Sequence, residues 1–309
     1  MRTPDAALAP LRSAAMAGKE LLQAPEPNAR DRVREVLEGE FYARLVPRLL
    51  RASGGGAVLD LGCGDGLAAS FAGEALERYV GVDARPVPIA GELVLHDLRG
   101  GLGPVGRKSF DLYLGTFGVA SHLAPAELRR LVIDVARHAT PGSIVALEAL
   151  GLSSLEWPRL WTTASGSART IPYRLDEREL RVHPWAPFEL ATIYEQAGID
   201  PVHALDRSVQ FGPKIGDGRY WPGLPRTRRA LDALLADSAS GAARDELGAP
   251  LGPLPASAAS RIHHALARRR RALTRSTRSS TALARAAWAL EPSSGGGYGH
   301  GLMLVGRVR

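Results

Sequence analysis

The chain has 309 residues, 45% of them hydrophobic, and a formal net charge of +7, which fits one domain with additions around a real core. Its one cysteine, Cys63, excludes an intrachain disulfide and a cysteine-based zinc site, and no metal is expected. The mixed Ala/Pro/Asp start lacks an apolar signal region, and no run approaches the roughly 20 apolar residues of a spanning helix, so a cytoplasmic protein without a membrane span is expected.

Residues 1–26, rich in Ala and Pro, are expected to be loosely ordered. From Ala29 to about Arg51, Val33, Leu37, Phe41, Leu45 and Leu49 recur every four positions, the mark of a helix face, and Ser53 to Gly56 ends it. Ala57–Leu61 then reads as a strand opening into glycines, followed by a helix over Leu67–Glu77. Further strands are expected at Tyr79–Val82, Leu93–Leu95, Phe110–Leu114 and Ser143–Leu147, with an amphipathic helix at Pro125–His138. Pro187–Ala197 reads as a helix, Val202–Phe211 as a sixth strand and Gly301–Val308 as the last. Strands alternating with helices predict an α/β, doubly wound and mostly parallel sheet. Between the last two strands, helices are expected over Arg226–Ala236 and 256–290, the second one split by the polar run Thr274–Ser280. The division expected is a helical extension over 1–52, a core over 53–212 and 298–309, and an Arg-rich helical insertion over 213–297.

The chemistry concentrates at the strand ends. Gly62, Gly64 and Gly66 let the backbone pass close to a ligand. A dinucleotide turn would read GxGxxG and seat a pyrophosphate. Here the spacing is GxGxG, and Asp60 two residues earlier would repel a phosphate and suit an ammonium group. Asp83, 21 residues beyond Gly62 at the end of the second strand, stands where a ribose diol is held. Asp97 and Leu98 follow the third strand, where a carboxylate and a backbone amide can read an adenine.

With these residues in register, residues 55–150 resemble the class I S-adenosylmethionine (SAM) dependent methyltransferase superfamily, with a looser similarity to its small-molecule members. The first motif corresponds to Asp60-Leu-Gly-Cys-Gly-Asp-Gly66, the ribose acid to Asp83, the adenine-side acid to Asp97, and the fourth motif to Phe110 through Leu123, which includes Thr116. The resemblance implies SAM as cofactor and a seven-stranded Rossmann-like sheet whose last strand is antiparallel. It implies cofactor contacts from Asp60, Gly62, Gly64, Asp83, Asp97, Leu98 and Thr116. Cys63 occupies a variable motif position and reads as a small packing residue.

Several kinds of methyl transfer are argued against. The fourth strand ends in Gly115-Thr-Phe-Gly118 rather than an Asn/Asp-Pro-Pro-Tyr loop, no cysteine lies near that loop, and the lysines, 19, 108 and 214 alone, do not supply a Lys-Asp-Lys-Glu tetrad. A small-molecule acceptor is the favoured partner, methylated at oxygen, nitrogen or carbon. An aromatic-rich stretch, with Trp157, Trp161, Tyr173, Trp185, Tyr194, Tyr220 and Trp221, suits a flat acceptor, with simple packing as the alternative. His122, Glu148 and His183 are the candidate bases. The alternatives are a capping role for His122, backbone binding for Glu148 and an ordinary surface position for His183. Tyr42 on the N-terminal helix either closes over the cofactor or packs.

Residues 255–290 hold eight arginines and no acid, so the rest of the chain is close to neutral. Arg268–Arg271 spans all sides of a helix. Its readings are a solvated helix, a phosphate-contacting arm of an RNA methyltransferase, or a contact to a membrane surface or an acidic protein. Nucleic acid is not favoured, since no RNA-binding module accompanies the run. A third function class is a SAM-fold protein that binds without catalysis.

Overall fold

The computed structural model describes residues 32–164, 169–175, 178–209, 227–236, 241–290 and 295–309. The expected loose start at 1–26, Tyr220, Trp221 and the end of the sixth strand at Phe211 lie outside these.

A single π turn, Val33–Glu38, leads into helix α1, Gly39–Ser53. Gly54 closes α1 in the left-handed region at φ 80°, its N–H donating to the Leu50 carbonyl. Strands β1 (Ala57–Leu61), β2 (Arg78–Asp83), β3 (Glu92–Leu95), β4 (Leu112–Gly115) and β5 (Ile144–Gly151) follow, with α2 at Leu67–Ala72 and α3 at Pro125–His138. A hairpin of β6 (Ile171–Leu175) and β7 (Arg178–Val182) comes next, then the two-residue β8 (Pro184–Trp185), α4 (Pro187–Gln196) and β9 (Ile199–Arg207). Helices α5 (Thr227–Leu235), α6 (Gly241–Gly248), α7 (Ala258–Ser276) and α8 (Ser280–Trp288) precede the closing β10 (Gly301–Val308). Both α3 and α4 start on a proline, and Glu127 and Glu189 reach back to accept from the N–H groups of Ala124 and Ala186 at 2.7 and 2.9 Å.

The sheet runs β3-β2-β1-β4-β5-β10-β9, with β8 beside the end of β5. Pairings among β1 to β5 are parallel, and β10 is antiparallel to both β5 and β9. Seven strands with an antiparallel last one are as expected, and β8 adds an eighth. The β6–β7 hairpin and α6 were not foreseen, and the helix expected over Leu67–Glu77 stops at Ala72, with a 3₁₀ turn at Gly73–Ala75. Gly73 departs to φ 62° there, which ends the α-helical ladder.

Strand periodicity sorts the core into two layers. Leu59, Leu61, Tyr113, Val145, Leu147 and Ala149 face α3 and α4, while Val58, Leu112, Leu114, Ile144 and Ala146 face α1 and α2. By the same alternation Asp60 and Glu148 fall on the α1 side. The helices between β9 and β10 gather a further cluster in which Leu231, Leu234, Leu247, Leu283 and Ala284 pack on Val33 and Leu37. The inserted helices and the chain before α1 thus share one small core. Among the described residues, no helix is long and apolar enough to cross a membrane.

Candidate functional site

All three turn glycines lie in the left-handed region, with φ of 69° at Gly62, 51° at Gly64 and 70° at Gly66, where a side chain would be strained. A Cβ on Gly62 would meet Val119 at 2.5 Å, and one on Gly66 would meet Ile89 at 2.9 Å, whereas at Gly64 nothing lies within 4 Å. The turn is therefore packed at both ends and open in the middle. The N–H of Gly64 donates to Asp83 Oδ2 at 3.0 Å, and the N–H of Arg85 donates to Oδ1 at 3.0 Å, so Asp83 ties the turn to the end of β2.

Asp60 is 1% exposed. Tyr79 donates its hydroxyl to Oδ2 at 2.6 Å, and Oδ1 has no protein partner. Burial first, then the charges of Asp65 and Asp83, pushes the Asp60 carboxyl up to about 7. A buried carboxylate oxygen left open beside a glycine turn calls for a donor from a ligand. Cys63 packs against Gly81, and burial pushes its thiol well above the usual range, which makes it inert.

Leu98 is buried, and Asp97 sits half-buried at the tip of β3. The Asp97 carboxylate is engaged by its neighbour: Arg99 binds Oδ2 at 2.6 Å, and this bonding holds the acid below its ordinary range. Thr116 is buried directly after β4. The glycines, Asp60, Asp83, Leu98 and Thr116 all follow or end parallel strands, on the edge of the sheet where such folds bind ligands.

The expected bases fall elsewhere than their readings assumed. Glu148 does not end β5 and does not merely bind backbone. It lies inside the strand at 0% exposure, accepting from Tyr42 Oη and the Arg207 guanidinium. Tyr42 is likewise fully buried and packs between Phe71 and Phe117 at ring distances of 5.7 and 4.8 Å, so it belongs to the core. Arg207 also meets Glu38 at 2.8 Å, and Arg228 from α5 meets Glu38 at 3.1 Å. Among the described residues two acids and two arginines meet there, and the arginines hold the Glu38 carboxyl down at about 2 against the upward push of burial. His183 is not a surface histidine: it is 5% exposed, its N–H donates to the Ser121 carbonyl at 2.8 Å, and burial lowers its pKa. His122 is exposed, and α3 takes its cap bond from Glu127.

The aromatic stretch divides in the same way. Trp157, Trp185 and Tyr194 are buried as packing, while Trp161 is half-buried, its ring stacked on His263 of α7 at 5.6 Å. The side chain of Tyr173 lies outside what is described.

The strand order, the antiparallel β10 between β5 and β9, and the glycine turn after β1 decide the architecture. The fold is a Rossmann-like, doubly wound sheet closed by an antiparallel strand, the architecture that the sequence resemblance implied. No family model and no curated protein matches the sequence. Among solved structures, the sugar N-methyltransferase KedS8 from Streptoalloteichus is 17% identical over 59% of this chain and 90% of its own, with a TM-score of 0.41. The 1,6-didemethyltoxoflavin-N1-methyltransferase of Burkholderia thailandensis, with S-adenosylhomocysteine bound, is 19% identical over 66% of this chain and 83% of its own, at 0.40. A chain in the Haloferax volcanii complex of the Trm112 methyltransferase activator with a methyltransferase is 13% identical over 91% and 93%, at 0.45.

Sequence reasoning missed Glu38, Arg207 and Arg228, whose pairing spans 169 and 190 positions and leaves no local pattern. It also missed Glu156 and His300, where His300 Nδ1 meets Glu156 Oε2 at 2.8 Å across 144 positions. Among the described residues no group of three or more His, Cys, Asp or Glu is placed to hold a metal ion.

Proposed function

We propose that this protein binds SAM at the glycine turn after β1 and catalyses methyl transfer to a small-molecule acceptor. The observation that carries the reading is Asp60 Oδ1, buried without a partner beside three left-handed glycines. It suits the α-ammonium of SAM, and the open face of Gly64 admits the ligand backbone. Asp83 already accepts from two backbone amides and retains lone pairs for a ribose diol. Leu98 packs beside Gly62, Thr116 follows the neighbouring strand β4, and Asp97 reaches an adenine amino group only by sharing its carboxylate with Arg99.

When bound, SAM supplies a methyl group activated by its sulfonium. The protein's task is then to align the acceptor with that methyl and exclude water. A small-molecule acceptor is favoured because the arginine run offers less to RNA than its count implies. Arg270 is 1% exposed and donates to the Leu247 carbonyl at 2.5 Å, and Arg271 donates to the Gly248 carbonyl at 2.9 Å. Half of Arg268–Arg271 thus serves the end of α6.

Calorimetric titration with SAM tests the reading. Wild-type protein binds, and Asp83→Ala weakens binding by about 10- to 100-fold, the loss of charge-assisted hydrogen bonds. Absence of binding to the folded wild type, or equal affinity in the variant, overturns it.

A further inference from the structure

Among the described residues, Glu156 is the other buried carboxylate with an open oxygen. Its side chain is 2% exposed, Oε2 meets His300 Nδ1 at 2.8 Å, and Oε1 has no protein partner. His300 keeps 12% side-chain exposure, and among the described residues nothing bonds its Nε2. A carboxylate on Nδ1 fixes the tautomer with the proton on that nitrogen, so the lone pair stands on Nε2. The backbone holds the ring in place from two sides: Gly151 N–H donates to the His300 carbonyl at 3.2 Å, and His300 N–H donates to the Ser208 carbonyl at 3.2 Å.

The position matters as much as the pairing. Glu156 lies in the loop after β5, and His300 immediately precedes the antiparallel β10, so both stand on the C-terminal edge of the parallel strands. In the order β4-β5-β10 they are two strand spacings, about 10 Å, from the turn after β4. Aromatic rings frame them. Trp157 lies 6.1 Å from the His300 ring, and Tyr298 and Trp161, both half-buried, pack on His263 at 6.1 and 5.6 Å. His263 comes from α7 and is anchored to the Ser153 carbonyl at 2.8 Å, so the inserted helices supply one wall. The acids facing the His300 ring are Glu156 and, from the π turn, Glu38, which is held by Arg207 and Arg228.

We infer that His300 is the general base of the acceptor site, with Glu156 as its positioning residue, for an acceptor carrying an O–H or N–H on or beside a flat ring. The inference rests on the methyl-transfer reading above. As the acceptor oxygen or nitrogen bonds to the methyl carbon, the carbon–sulfur bond breaks and leaves its electron pair on sulfur. The acceptor proton passes to Nε2. The imidazolium so formed faces the Glu156 carboxylate and later releases the proton to water.

The test combines SAM titration with transfer of labelled methyl from SAM into the small-molecule fraction of a cell extract, for wild type, His300→Asn and Glu156→Gln. Asn retains a donor where Nδ1 stood, so the bond to Glu156 survives while the base is lost. His300→Asn is expected to bind SAM as wild type does, to lower transfer by about 100-fold or more, and to lose the acid limb of the pH–rate profile. Glu156→Gln should give an intermediate loss of about tenfold with the limb retained. Transfer by His300→Asn within about threefold of wild type overturns the inference. So does wild-type protein that binds SAM yet methylates nothing in the extract, whereas failure to bind SAM strikes the earlier reading. Should His300→Asn not fold, carbethoxylation of the wild type by diethyl pyrocarbonate decides. His300 should react and the fully buried His263 should not, and an unreactive His300 refutes the open Nε2.

Discussion

At the β1–β2 end of the sheet's C-terminal edge, Asp60 is buried with one neutral hydroxyl as its partner. At the β5–β9 end, Glu38 and Glu148 are buried among two arginines, and Tyr42 adds its hydroxyl. The contrast separates two uses of buried charge. A balanced cluster joins the π turn, β5, β9 and α5, and is architecture. A carboxylate buried without a cation is costly as it stands and is best explained by a ligand that brings one.

The largest effect should come from unbalancing the balanced end. Arg207→Met leaves Glu148 without its cation and Glu38 with only Arg228, and removal of one partner of a buried pair costs about 3–5 kcal/mol. Denaturant unfolding measures this, and a loss under about 1 kcal/mol would break the comparison. Adding Glu148→Gln to Arg207→Met should recover part of the loss, because the uncompensated charge disappears with it.

At the other end the opposite sign is expected. The unfolded Asp60 ionises near 3.8 and the folded one near 7. Between those values unfolding releases a proton, so the stability of the ligand-free protein falls as pH rises and levels off above about 7. Asp60→Asn removes the Asp60 share of that fall, leaving that of the likewise raised Asp206. The variant should be more stable than wild type at pH 8 by roughly 2–4 kcal/mol while binding SAM more weakly. Melting curves across pH 5 to 8, with and without SAM, measure both effects. A stability difference between wild type and Asp60→Asn that stays flat across that range, without ligand, would show that Asp60 is compensated after all.

The two ends also differ in how far the sequence reveals them. The glycine turn, Asp60 and Asp83 lie within one βαβ unit, where spacing along the chain converts directly into spacing across neighbouring strands, because β1 and β2 pair in register. The doubly wound, mostly parallel sheet followed from alternation of apolar runs with helices, whereas its strand order came only with the structure. The β5–β10 end offers no such rule. Glu156 and His300 meet only because β10 inserts antiparallel beside β5, bringing residues 144 positions apart to one loop cluster. His122 and His183 were placed near the site by sequence order, but the exposure of His122 and the burial of His183, whose backbone N–H donates to the Ser121 carbonyl, depend on tertiary packing. Glu148 shows the limit best: strand alternation puts it on the α1 face, yet only the fold reveals that Arg207 is waiting there.

The smallest effects sharpen the comparison inside the arginine-rich helix. Arg270 and Arg271 both serve a neighbouring helix end. They donate to the last carbonyls of α6, which have no partner within that helix, and burial pulls Arg270 down to about 10. Arg268 and Arg269 are exposed on the same helix. Arg270→Met should therefore cost about 1–3 kcal/mol through the abandoned Leu247 carbonyl, whereas Arg269→Gln should change stability by less than about 0.5 kcal/mol. Equal costs at the two positions would mean that the run acts through its total charge. Unequal costs, with Arg270 the larger, would show that its sequence disguises a packing device as a basic patch.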